Sequence, residues 1–223
     1  MDYHQTVKYI VSSYFLFLYC CVLISTPASA RLSRSAPGRE GINKEFVLPV
    51  VTIRNPYSWF LSMCKNRYAA RWDHGRYPPE CPQLKIPDDD DKWNEVKVGK
   101  SIRYESLAHM WSQWYSHYAR DADFPYVVVR VEDLVFYPKE TITTVCECAG
   151  GMMRPDRPFQ FIGQSAKEGV GHNSSTGLYE AWIKYSKLPE PNGGLSDLDY
   201  LSAQEGLNQT IMDLFGYRHP PPQ

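Results

Sequence analysis

Two short, continuous apolar runs rich in β-branched residues stand out from the rest of the chain. Leu48 to Ile53 and Tyr126 to Val131 have the length and composition of buried strands, as found in parallel sheets. A helix signal follows the first run at once. Asn55 is a good N-cap, and Pro56 suits the first helical position, where its missing N–H costs nothing, so a helix beginning YSWFLSMC is predicted. Ser101 to Arg120 is the clearest amphipathic segment. There Tyr104, Leu107, Trp111, Trp114 and Tyr118 recur at spacings of three and four, an apolar and aromatic stripe that reads as core. Pro138 to Ala149 predicts a helix ending at Gly150. Strand, long helical excursion, strand and helix together predict an α/β domain with parallel pairing. Near the end, LYEAWIKYSK and LSAQEGLNQTIMDLFGY predict two short helices before a Pro-rich tail.

The N-terminal pattern is of another kind. Lys8 precedes an apolar run, Tyr9 to Ile24, and Ala28 and Ala30 have the spacing of a signal-peptidase site, so residues 1–30 read as a secretory leader, either cleaved or retained as an anchor. Residues 31–45 are polar, without periodicity, and read as a flexible stem. Residues 46–218 then hold the domain, and 219–223 a tail. The chain has 223 residues and a formal charge of −1. That length suffices for one core, and the charge balance gives no reason to expect a nucleic-acid partner.

A secretory setting changes the reading of the cysteines and asparagines. Cys64 and Cys81 bracket a segment in which Pro78, Pro79, Pro82 and Pro87 exclude a long helix. In an oxidising lumen the two form a disulfide closing that excursion; otherwise they are free thiols. Cys146 and Cys148, two apart on a helix, point to different sides and cannot pair with each other. Asn173 and Asn208 open N-glycosylation sequons. Asp88 to Asp91 reads as a solvated acidic run and His74 as an exposed loop histidine, with a general base as its rival role. His109 and His117 are eight apart, not the four that puts two metal ligands on one helical face, so no metal is expected.

The turn from Ile53 to Pro56 carries the candidate chemistry. A strand feeding a helix this tightly places backbone N–H groups and a positive dipole end at the turn, which suits an anion. Arg54 adds a fork of donors matched to phosphate, and Ser62 lies two helical turns beyond Asn55 on the same face. An arginine closing a strand, an Asn-Pro turn and a serine eight positions after the arginine resembles the 3′-phosphate element of sulfotransferases, which use 3′-phosphoadenosine 5′-phosphosulfate (PAPS). A second segment, Arg130, Val131, Glu132, Asp133, Leu134 and Pro138, is similar to the Arg-Tyr-Glu-Asp-Leu stretch of the same family. The resemblance covers roughly residues 47 to 218.

That resemblance implies a three-layer sandwich around a central parallel sheet, of the P-loop NTPase-like sulfotransferase type. It implies PAPS as cosubstrate, without metal, Arg54 and Ser62 on its 3′-phosphate, and Lys167, Gly169 and Gly171 in a late loop closing over it. It implies transfer of a sulfuryl group to a hydroxyl or amine, with carbohydrate the expected acceptor, in the Golgi lumen or after secretion. A membrane enters only if the N-terminal segment is retained. The chain departs from the family in three places. The Gly-Thr-Thr loop that cradles the 5′-phosphosulfate is absent together with its strand, so the expected sheet lacks its first strand. The segment that normally supplies the base is missing with it, leaving the base unassigned. Val131 replaces the tyrosine that touches adenine in some members. Two further expectations follow: a catalytically inactive lumenal or secreted binding module derived from a sulfotransferase, or a reading frame in which a leader has replaced the first strand and loop. A small secreted binding protein unrelated to nucleotides is the reading from a different class.

Overall fold

The computed structural model describes residues 48–75, 80–87, 89–121, 125–160, 177–186 and 190–222. In chain order the elements are β1 (Val50–Ile53), α1 (Pro56–Lys65), β2 (Ala70–Arg71), β3 (Lys85–Ile86), β4 (Asp89–Trp93), β5 (Val96–Val98), β6 (Ile102–Tyr104), α2 (Leu107–Ser116), β7 (Val127–Arg130), α3 (Val131–Phe136), α4 (Pro138–Cys148), α5 (Leu178–Ser186), α6 (Asp197–Gly206) and α7 (Gln209–Leu214). The architecture is mixed α/β with a small parallel sheet and helices. Two compact units divide the described residues, one holding 48–53 and those between 125 and 185, the other 54–121 and those from 186 onward.

In the first unit β1 and β7 pair in parallel, Val50 opposite Val127 and Ile53 opposite Arg130. Both apolar runs therefore become strands with the predicted direction. They are buried to different degrees: Val127, Val128 and Val129 are all buried, whereas β1 alternates and leaves Val50 45% exposed. Val127 and Val129 pack with Val145 of α4, joined by Leu48, Val131 and Leu134. Val131, the last residue of the predicted strand, instead opens α3. Asp133 Oδ2 lies 3.5 Å from the Nε of Arg130, and the Asp133 carbonyl accepts from Thr141 Oγ1, so Asp133 serves the chain's own turn. Cys148 is a free thiol, consistent with the impossibility of bonding Cys146 two positions earlier.

In the second unit α2 begins later than the aromatic stripe suggests, while beyond Ser116 the chain continues as a π-helical turn over His117–Asp121 that keeps Tyr118 helical. Ile102–Tyr104 form β6 against β5, and Ser106 caps the helix by accepting from the His109 N–H. Tyr104 satisfies the helical spacing only by coincidence, because three residues of strand are too few to display a period of two. Leu107 and Trp111 are buried, while Trp114 is 47% exposed. The Pro-rich excursion is more structured than its composition indicates: β5 lies between β2 and β6, and β3 pairs with β4, which takes in part of the acidic run. The chain from Cys81 to Leu84 is fixed from several sides. Cys81 is disulfide-bonded to Cys64 of α1. Trp72 Nε1 donates to the Pro82 carbonyl at 2.9 Å, and the N–H groups of Gln83 and Leu84 donate to the Asp199 carboxylate of α6 at 3.1 and 2.6 Å. Burial pushes the Asp199 carboxyl up, and those two N–H groups oppose the shift.

The last predicted helix is two, α6 and α7, broken at Leu207 and restarted by the Asn208 cap. The tail is tied down. Tyr200 Oη donates to the Pro220 carbonyl at 2.7 Å, and Asn192 N–H donates to that of Pro221 at 3.0 Å. His219 Nε2 faces Gln209 Oε1 at 3.1 Å, and its Nδ1 lies 2.6 Å from the Tyr57 hydroxyl. Because Gln209 gives its Nε2 to Asp213, its Oε1 is an acceptor, so His219 carries its proton on Nε2 and Tyr57 donates to Nδ1. Burial holds the His219 pKa below its ordinary value, against the pull of Asp213. The folded protein thus keeps the ring neutral, whereas the unfolded chain takes up a proton near pH ~6.5. This contribution to stability is complete above that pH and is lost as the pH falls below it. His109 and His74, also lowered by burial, act in the same direction. The thermal midpoint is expected to drop between about pH 7.5 and about pH 5.5, and to drop less in His219→Gln. Equal slopes in the two proteins would remove His219 from the account.

Candidate functional site

The turn leading into α1 is built as its sequence dictates. Asn55 caps the helix and Pro56 occupies the first turn. The Asn55 Oδ1 accepts from the N–H groups of Tyr57 at 3.0 Å and Ser58 at 3.3 Å, and the Trp59 N–H donates to the Asn55 carbonyl. Pro56 has no N–H, so the cap satisfies the donors of the first turn that were expected to face an anion. The donors this face presents are side chains.

Arg54 is positioned at both ends. Its carbonyl accepts from the buried Trp111 Nε1 at 3.1 Å, and its Nε donates to Ser58 Oγ at 2.8 Å. Ser58 Oγ in turn donates to the Asn55 carbonyl at 3.0 Å. The guanidinium therefore lies along the first turn of α1 against Ser58, not against Ser62. Ser62 stands one turn further on the same face, half-buried. Positions 54, 58 and 62 share this side, while Tyr57, Phe60, Met63 and Cys64 turn into the core. Ser58 is the residue that sequence reasoning passed over. Its signal was present: it lies four after Arg54 and four before Ser62.

No family model, curated protein or solved structure matches the chain.

Of the other predicted site residues, Lys167, Gly169, Gly171 and Asn173 lie outside the described residues. Asn208 caps α7, its Oδ1 accepting from the Ile211 N–H at 3.1 Å, which leaves Nδ2, the atom a glycan takes, outside that bond. Cys64 and Cys81 form the disulfide, with Cα atoms 6.0 Å apart. His74 is not simply solvated. It stacks on Trp72 with ring centroids 4.1 Å apart, and burial lowers its pKa. Among the described residues no group of three or more His, Cys, Asp or Glu is arranged to hold a metal ion, and no helix is long and apolar enough to cross a membrane.

Proposed function

We propose that the chain is a sulfotransferase-like protein that takes the 3′-phosphate of PAPS on the face of α1 carrying Arg54, Ser58 and Ser62. The observation that supports this reading most is the Arg54–Ser58 hydrogen bond at 2.8 Å. It lays the guanidinium along the helix, with Ser62 about 6 Å further up the axis. A phosphate placed there would accept from the arginine fork on one side and the Ser62 hydroxyl on the other. In this reading the β1–β7 pair belongs to the central sheet of a three-layer P-loop-like sandwich.

The chemistry would be an in-line displacement at sulfur. The acceptor oxygen or nitrogen bonds to sulfur as the bond from sulfur to the 5′-phosphate oxygen breaks. Adenosine 3′,5′-bisphosphate departs with the electron pair, and a base takes the acceptor's proton. A carbohydrate acceptor in the Golgi lumen or outside the cell fits the Cys64–Cys81 disulfide and the leader expected from the sequence. A second reading, a binding module that no longer transfers sulfate, is favoured by the Asn55 cap, which uses the first-turn donors itself.

Calorimetric titration of the full chain with adenosine 3′,5′-bisphosphate tests the proposal. Micromolar binding is expected, weakened at least about tenfold in Arg54→Ala, as for loss of a charge-assisted contact. Ser62→Ala is expected to weaken it less. Transfer from PAPS to glycan acceptors then separates the enzyme from the module.

A further inference from the structure

Beyond the end of α1, and about 15 Å along its axis from Arg54, lies a second cationic feature. Arg67, Tyr68, Arg71 and Trp72, with Lys97 of β5, line a cleft of about 360 Å³. Its size falls at the lower end of small-ligand sites, which span roughly 300–1,000 Å³. Two features of this cleft work against stability. Arg71 and Lys97 are directly opposite each other in the antiparallel β2–β5 pair, so two like charges stand on one side of the ladder. Tyr68 is held at φ 52°, in the left-handed region unfavourable to an aromatic residue, and the residue is 73% exposed. Local rules broken together in one place mark functional surfaces.

The charges are only partly cancelled from within: three cations face two carboxylates, Asp73 and Glu95. Glu95, which also lines the cleft, is shared between Lys97 at 3.2 Å and Arg103 at 2.8 Å. Arg67 and Arg71 are exposed and have no ion-pair partner among the described residues. Asp73 adds one carboxylate to the wall. Two guanidinium forks suit an oxyanion, a presented phenol ring suits the flat apolar face of a pyranose, and a carboxylate accepts from ring hydroxyls.

We propose that this cleft binds an acidic sugar, with Arg67 and Arg71 on its carboxylate or sulfate, Tyr68 against the ring face and Asp73 on the hydroxyls. The site stands apart from the Arg54 reading, so either can fail alone. The probe is a heparin-derived tetrasaccharide titrated into the full chain by calorimetry at low and physiological salt, with neutral maltotetraose and inorganic sulfate as the other arms. Binding of the acidic tetrasaccharide is expected, falling with salt and weakened at least about tenfold in Arg67→Ala/Arg71→Ala. Tyr68→Gly should weaken it several-fold while holding or raising the thermal midpoint, because glycine takes a positive φ without strain. A merely structural tyrosine would lower it. Arg54→Ala should leave the affinity unchanged. The proposal is overturned if the acidic tetrasaccharide does not bind, if maltotetraose binds equally well, if sulfate alone binds as tightly, or if the double variant binds like the parent.

Discussion

Trp111→Ala is expected to lower the stability of the second unit by about 3–5 kcal/mol, the range for truncating a large buried aromatic side chain. Trp111 is 1% exposed and packs edge-on against Tyr115 and Tyr217, with centroids 5.1 and 6.2 Å away. Its indole N–H also holds the Arg54 carbonyl. Truncation leaves a cavity and strips a partly buried carbonyl of its donor. Trp111→Phe keeps most of the volume and loses the hydrogen bond, at a cost of about 1 kcal/mol. The milder variant should still weaken binding of adenosine 3′,5′-bisphosphate, because the residue that presents the guanidinium has lost its anchor. Urea unfolding followed by circular dichroism measures the first effect. A Trp111→Ala midpoint close to that of the parent would mean that this helix is not the centre of the unit.

Removing the disulfide should have the next largest effect. Cys64 and Cys81 are 17 residues apart, and in the chain-entropy account closing a loop of about this length stabilises by about 3 kcal/mol. The loss would not stop at the loop. Cys81 begins the stretch that Trp72 and Asp199 hold through Pro82, Gln83 and Leu84, so freeing it also loosens the donors that satisfy a buried carboxylate. The double variant Cys64→Ser/Cys81→Ser is expected to unfold at a clearly lower urea concentration than the parent. Its affinity for the acidic tetrasaccharide should fall as well, since Trp72 stands in the cleft wall. Coincident unfolding curves would show that the excursion is held without the bond.

The parts of this fold that could be read ahead of the structure are those with strong local signals. Asn55 and Pro56 fix the start of α1 through one side-chain acceptor and one missing donor, and the structure has both in place. The two valine-rich runs announce strands because few other arrangements bury that many branched side chains. Strands of only two or three residues were not legible: β2, β3 and β6 are too short to show a period, and they form because chain brought from elsewhere supplies partners. Asp199 illustrates the same limit. Nothing in its neighbourhood along the chain announces that it will receive the N–H groups of Gln83 and Leu84, more than a hundred positions earlier. At the candidate site, Arg54 and Ser62 could be named from spacing, but Ser58 as the immediate partner of Arg54 needed the guanidinium's path. The free helix N-terminus was expected from the turn alone, and the same Asn55 that starts the helix also closes it.

The central claim is that Arg54 and its two serines read a 3′-phosphate, and the difference between two nucleotides tests it directly. Adenosine 3′,5′-bisphosphate and adenosine 5′-monophosphate differ only in that group, so their affinities for the parent protein, Arg54→Ala and Ser62→Ala should be measured side by side. The account predicts that the bisphosphate binds the parent at least about tenfold more tightly, as expected for charge-assisted phosphate contacts, and that this preference collapses in Arg54→Ala. Equal affinity for the two nucleotides, or no binding of either by a protein with a folded spectrum, would contradict it.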